Sequence, residues 1–409
     1  MPPLSEAEED ALSHQILDQL AQTPYACSTL TKLSGGTANF LYRGVLLQPL
    51  EDAQTVVIKH STGFAAVNRG FPLDVSRCVF EESMLHALDG LCRNVITPSG
   101  LAVVTAPRCY MFDRDTHTQV HQDFPHTTDL TTLLQSPKGD QILPGSSSQA
   151  VGYALGSWLR FFHNWTSEPA QAELRRRVGS NEGMRRLKCL ITYDSFIEIL
   201  ARHPETLEGY RETLEAVRSA MKYEFERGPT ESDEIRGLIH GDFWTGNVLL
   251  PDRPWQGTQP AQDPNELFVI DWENVQFGHR AVDIGGMLAD LYERSHFKDV
   301  AVSIPLMRGF VEGYGPLSEE LAFGTAVHAG VHLICWYYRR DRSAPLPYPL
   351  PKFLDALALG RDFVVRGWAK DREWFEGSVL APLFMYEKRS HSNLLSRNGE
   401  SASDLPQII

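Results

Sequence analysis

Apolar and polar positions alternate in two different ways along the chain. The first third carries short runs of period two, and the remainder carries longer runs of helical period. Residues 5–22 mix acidic and apolar positions and predict a short amphipathic helix. In the run TLTKLSGGTANFLYRGVL, two apolar, β-rich segments flank Ser34-Gly35-Gly36-Thr37, which is a hairpin pattern. Thr55–His60, TVVIKH, is a β-branched strand that carries Lys59 near its end. Asp74–Leu88 then shifts to helical spacing, with Glu81, Leu85 and Leu88 on one face and Asp74 or Ser76 placed to cap it. Residues 101–105 (LAVVT) and 108–112 (RCYMF) predict strands around a proline turn, and Gln119–Pro125 breaks the pattern. A helical run begins at Thr127–Gln135, and the Gly/Ser/Pro-rich Lys138–Gln149 reads as a loop.

The second half is mostly helical. Ala150–Trp165 carries Val151, Leu155, Trp158, Leu159 and Phe162 at helical spacing, a core stripe in which His163 reads as structural. Leu207–Phe225, Arg280–Arg294, Leu306–Tyr314 and Thr325–Arg339 read as further helices. Asp283 sits near the start of the second of these, placed either to cap it or to brace the loop before it. Beyond Tyr386 the chain is polar and is expected to be disordered.

Two short apolar frames in this half hold most of the chemistry. Leu238–Leu250, LIHGDFWTGNVLL, sets His-Gly-Asp and then Asn between buried-looking strand ends. Phe268–Glu273, FVIDWE, is a short strand ending in Asp-x-Glu. Between them, Pro251–Glu266 reads as a surface loop. Moving a γ-phosphoryl group requires a positioned metal, neutralised charge and an oriented hydroxyl, with little covalent help. Asp242 is the candidate base that accepts the hydroxyl proton, and Asn247 and Asp271 are candidate Mg²⁺ ligands. If the strand stays extended, Glu273 falls on the same face as Asp271 and can join them.

The first third supplies the matching nucleotide side. Ser34, Gly35, Gly36 and Asn39 lie where glycines let backbone amides approach phosphate oxygens, although an ordinary Gly-Gly turn explains that pattern alone. Lys59 is the candidate phosphate lysine, Glu81 its candidate partner and Glu82 the alternative. The hinge between two lobes is placed near Gln122–Pro125, where adenine would meet backbone groups of Gln122, Asp123 and Phe124. Arg339-Arg340, after an aromatic cluster, suits either a substrate contact or a helix C-terminus.

Composition narrows the class. The 409 residues are 42% hydrophobic and 22% charged, an ordinary globular balance. A net charge of −14 argues against nucleic acid or an anionic membrane as the partner. No apolar run reaches the ~18–20 residues of a membrane span. The acidic N-terminus lacks an apolar leader, and the six cysteines form neither C-x-x-C pairs nor a disulfide framework, so a reducing, cytoplasmic setting is expected.

The order of these parts resembles the aminoglycoside phosphotransferase and choline kinase superfamily. Its His-x-Asp-x-x-x-x-Asn loop is matched by His240, Asp242 and Asn247, and its Ile-Asp-x-Glu strand by Ile270, Asp271 and Glu273. The runs LSGGTANFLYRG, VIKH, SRCVFEE, DFWTGNVLL and VIDWENVQFGHRAVDIGGMLADLY resemble the 5-methylthioribose kinases and fungal hydroxytryptamine kinases within it. The resemblance implies an α+β, bilobal protein-kinase-like fold with a β-rich N-terminal lobe over residues 1–122. A mainly helical catalytic and substrate lobe would span 123–386, followed by a tail at 387–409. It implies ATP and Mg²⁺ as cofactors and a small-molecule alcohol as substrate, a sugar, amino alcohol or hydroxylated amine. In that family a late arginine pair contacts the sugar in 5-methylthioribose kinases, which Arg339-Arg340 resembles. The competing reading is a catalytically silent kinase fold used for binding or scaffolding. A protein kinase is disfavoured, because H-R-D, D-F-G and A-P-E are all missing.

Overall fold

The computed structural model describes residues 3–51, 53–97, 99–229, 231–256, 264–336 and 345–385. The Arg339-Arg340 pair and the expected tail at 387–409 lie outside them. The architecture is α+β: a five-stranded antiparallel sheet near the N-terminus, then a second sheet set among helices.

The first sheet runs in the order Cys27–Lys32, Phe40–Leu50, Ala53–His60, Thr118–Gln122 and Cys109–Asp113. Period-two burial explains its two faces. Phe40, Tyr42, Val56, Ile58 and Val120 pack together and are covered by Ile16 and Leu20 of the helix Glu6–Leu20. Each fully buried aliphatic side chain of this kind contributes about 1.5–3 kcal/mol. That helix starts on a capping box between Ser5 and Glu8. The opposite face carries Lys59 in register with Gln119, and Val57 in register with His121. It meets the helix Arg77–Leu88, whose Cys78 carbonyl accepts a 2.8 Å hydrogen bond from Gln119.

The second sheet runs Thr127–Asp129, Val248–Pro251, Asn265–Val269, Gly100–Thr105 and Arg93–Thr97. The chain thus passes from one sheet to the other between Gln122 and Thr127. The strand Gly100–Thr105 lies parallel to the strand that leads into Asp271, and Arg93–Thr97 pairs antiparallel with its other side. Sequence pattern missed the strand Arg93–Thr97, because this edge strand leaves Ile96 85% exposed and lacks clean alternation.

Helices fill the rest. Gly145–Trp165 packs closely on Ser303–Tyr314: a Cβ on Gly156 would stand 2.0 Å from the Phe310 carbonyl oxygen. Three expected boundaries need correction. The helical run expected from Thr127 starts at Leu130, because Thr127–Asp129 is a strand. Lys138–Gln149 is not a continuous loop, since Gly139–Ile142 is helical and the long helix already starts at Gly145. The expected helix Leu207–Phe225 is split at Gly209, whose φ of +80° leaves the helical region; Pro204–Leu207 and Arg211–Glu226 flank it. No helix among the described residues is long and apolar enough to cross a membrane. None of the six cysteines is in a disulfide.

Burial of imidazoles gives the fold a pH dependence. Burial pushes His121 down to about 3 and His279 down to about 4, and lowers His163 and His240 as well. In the unfolded chain these rings titrate near ~6.5. The stability they confer is whole above that value and is lost as pH falls below it, because the unfolded chain then binds protons that the folded chain refuses. Glu81, which burial raises, acts in the opposite sense as a single group. The urea midpoint is expected to fall between pH 7 and pH 5; a flat profile would contradict the burial of these rings.

Candidate active site

Three elements converge at Lys59. Its Nζ lies 2.8 Å from Glu81, 2.6 Å from Asp271 and 3.8 Å from Glu273. The lysine is held by its strand, Glu81 by the helix Arg77–Leu88, and the other two by the turn after Asn265–Val269. Burial alone would lower the lysine pKa, but Asp271, Glu81 and Glu273 outweigh it and hold the ammonium well above its usual range. Glu81 faces Lys59, whereas Glu82 pairs with Arg114. Glu81 also accepts a 3.1 Å hydrogen bond from the Trp272 backbone N–H, which ties the helix to the turn.

The extended geometry expected for Asp271–Glu273 does not occur. Asp271 adopts a left-handed φ of 66°, and Trp272–Asn274 forms a 3-10 turn. Such a φ is uncommon for a residue with a Cβ and is tolerated best by Asp and Asn. The two carboxylates therefore face different surroundings. The Asp271 side chain remains 34% exposed, while Glu273 is buried against Arg77 at 3.0 Å and Asn39 at 2.7 Å. Asn39 accepts from Arg77 and from Ser61 through its other atom, so its side chain is committed to this brace. Ser34 and Gly35 are exposed and Gly36 half-buried at the turn tip, without side-chain contact to the cluster among the described residues.

Around Asp242 the loop is built on glycine and on a buried acid. Gly241 has φ +82°, and a Cβ there would stand 2.2 Å from the Asn274 carbonyl oxygen. Asp283 accepts the backbone N–H groups of His240 and Gly241 at 2.8 and 2.9 Å, and meets His163 Nε2 at 3.1 Å. It is therefore a brace for the loop. His163 is structural, as its burial and its second contact, to the Tyr314 hydroxyl, require. His240 reaches the Ile270 carbonyl, and the Asn247 amide donates to Asp242, so the two motifs are stitched together. Thr245 is anchored by Asp290 and Arg294.

The segment after Thr118–Gln122 is held in place by local contacts. The Gln122 N–H donates to the Arg108 carbonyl. Asp123 is gripped by both Nε and Nη2 of Arg43 and by Thr55. Phe124 stacks on Phe268 at 3.8 Å between centroids. The Asp123 side chain is thus committed within the segment, and the Gln122 Oε1 accepts from the Arg108 N–H.

Two residues in this region were not anticipated. Arg77 is fully buried and pins Glu273; its place one helical turn before Glu81 was the available signal. Lys188, on the helix Glu182–Ile191, lies 3.1 Å from Asp242 Oδ1. No motif marks it, because its helix is remote from the loop in sequence.

The donor set suits a divalent cation. Lys59 and Arg77 set two positive charges against three carboxylates, and Asp271 is the exposed carboxylate of the group. The described residues hold no cage of three or more His, Cys or acidic side chains arranged for a metal. Mg²⁺ ordinarily takes one or two carboxylates and completes its shell with phosphate and water.

A family model described as a phosphotransferase enzyme family matches residues 94–323, more than half of the chain. The chain belongs to this family. Phosphotransferase FrzJ of a Cladobotryum species is 31% identical over 392 residues, covering 93% of this chain and 98% of that protein. The 4-hydroxytryptamine kinase of Psilocybe cubensis is 23% identical, covering 76% of this chain and 80% of that protein. Among solved structures, a choline/ethanolamine kinase family protein from Mesorhizobium loti matches with a TM-score of 0.43 and 14% identity, over 91% of this chain and 99% of that one. The antiparallel sheet near the N-terminus and the helix-rich remainder give the chain the α+β class expected from its sequence. Arg339 and Arg340 fall outside the described residues.

Proposed function

We propose that this phosphotransferase is an ATP- and Mg²⁺-dependent kinase that phosphorylates a hydroxyl of a small metabolite. The observation that carries the reading is the convergence of Lys59, Glu81 and Asp271 within hydrogen-bonding distance, next to a loop that presents Asp242 and Asn247. Mg²⁺, when bound, would neutralise charge on the phosphate oxygens. Asp271 and Asn247 are the residues proposed to hold it. Glu273 is better placed to orient Asn39 and Arg77 than to reach the metal directly. Lys59 is proposed to contact the nucleotide phosphates while Glu81 fixes its position. The turn containing Ser34, Gly35 and Gly36 offers backbone amides to the phosphates. The backbone of Asp123 and Phe124, rather than the side chains, is the proposed adenine contact. Asp242 accepts the acceptor's hydroxyl proton as the new O–P bond forms. Relatives named 4-hydroxytryptamine kinase support a hydroxylated amine as the first acceptor class to test.

The nucleotide half of this reading is tested by calorimetry of Mg·ATP binding. Asp271→Ala is expected to weaken binding about tenfold or more, as loss of a metal ligand does. Lys59→Met is expected to raise the ATP KM or lower kcat by at least about tenfold. Unchanged binding in the first and unchanged kinetics in the second would remove these assignments.

A further inference from the structure

The site contains two buried lysines, and they are satisfied to different extents. Lys59 has three carboxylates within 3.8 Å. Lys188, only 4% exposed, has one: Asp242 Oδ1 at 3.1 Å. An ammonium carries three N–H donors. Among the described residues, no other side chain or backbone oxygen accepts from Lys188 Nζ. Burying an ammonium is costly unless its donors are used, and a long side chain also loses rotamer freedom when it is fixed. An anionic oxygen arriving beside Asp242 would compensate that cost.

We propose that Lys188 donates to an oxygen of the phosphoryl group as it passes from ATP to the acceptor, while keeping Asp242 oriented. The proposal rests on the reading of Asp242 as the base. The reaction balances without any further reagent. The acceptor oxygen forms the bond to phosphorus and its proton goes to Asp242. The bond to the β-phosphate oxygen breaks and leaves its electron pair on ADP. Lys188 keeps its protons throughout and contributes hydrogen bonds and charge. An acceptor oxygen bonded to Asp242 lies about 2.6–3.2 Å from that carboxylate. Lys188 Nζ is bonded to Oδ1 of that same carboxylate, so the proposal places the ammonium and the transferring group on one acid. Lys59 and Lys188 then divide the work: one lies by the metal-side carboxylates and the other beside the base.

The test compares Mg·AMP-PNP with Mg·ADP, which differ in the γ-phosphoryl group. Dissociation constants are measured by calorimetry for the wild type, Lys188→Met and Lys188→Arg. The proposal expects Lys188→Met to weaken AMP-PNP about ten- to a hundredfold, as loss of a charge-assisted hydrogen bond does, with ADP unchanged. Lys188→Arg is expected to recover much of the difference, since it retains charge and donors. A structural role would weaken both nucleotides together or neither, and either result overturns the proposal. If Lys188→Met does not fold, Lys188→Gln is read in the same way. If wild-type protein binds neither nucleotide, the kinase reading fails and the proposal fails with it. If both bind and only the γ-dependence on Lys188 is missing, the kinase reading stands and this proposal alone is lost.

Discussion

Asp242→Asn is expected to lower kcat by about 10²–10⁴-fold, the range ordinarily contributed by a positioned general base. Asparagine is nearly isosteric, so the loop keeps its shape, but its amide does not take a proton. Binding of Mg·ADP should stay within a factor of about three of wild type, because the nucleotide-side cluster around Lys59 is built from other elements. Steady-state turnover and calorimetry together check this. A variant that turns over at the wild-type rate would show that Asp242 is not the base. A variant that loses ADP affinity as well would show that the loop and the nucleotide site are not separable.

Asp283→Ala is expected to have the largest effect on stability. The carboxylate is fully buried, and its two oxygens accept the His240 and Gly241 backbone N–H groups and meet the His163 ring. Removing it leaves two backbone donors and the His163 ring without that acceptor in a site closed to water. The cost expected for breaking such a buried polar network is about 3–5 kcal/mol. Because those donors define the turn before Asp242, turnover should fall with stability. Asp283→Asn retains one acceptor oxygen and should recover part of both. Urea unfolding and kcat measured on the same preparations decide it. Wild-type unfolding and wild-type turnover in Asp283→Ala would mean that the loop holds its shape without this acid.

The parts of the fold that sequence pattern exposed were those in which a local rule and the tertiary arrangement agree. The strand carrying Lys59 alternates and is β-branched, so it was legible. Glu81 was legible because helical spacing set it on the face of Leu85, and Glu82 remained an alternative until Arg114 was seen to hold it. The Asp-x-Glu strand misled, because period two says nothing about a residue that turns left-handed, as Asp271 does. Asn39 was read through its glycine-rich neighbours, yet its side chain is engaged with Glu273, Ser61 and Arg77. Lys188 was invisible for a different reason. Its contact with Asp242 joins residues 54 positions apart, through a helix whose own pattern is only amphipathic. Asp283 was placed correctly near a helix start, but only the fold distinguishes a cap from a brace. Substrate recognition is the least legible part, because no motif in the helical half marks an acceptor contact.

The central claim is transfer of a phosphoryl group to a small alcohol. The most direct measurement follows label from γ-labelled ATP into a panel of methylthioribose, choline, ethanolamine, hydroxytryptamines and aminoglycosides, with and without Mg²⁺. The account predicts that one class of acceptor becomes labelled, only when Mg²⁺ is present, and that Asp242→Asn abolishes the labelling. No labelled product in any class, together with no rise in thermal stability on adding Mg·ATP, would contradict it and leave a kinase fold that serves as a binding scaffold.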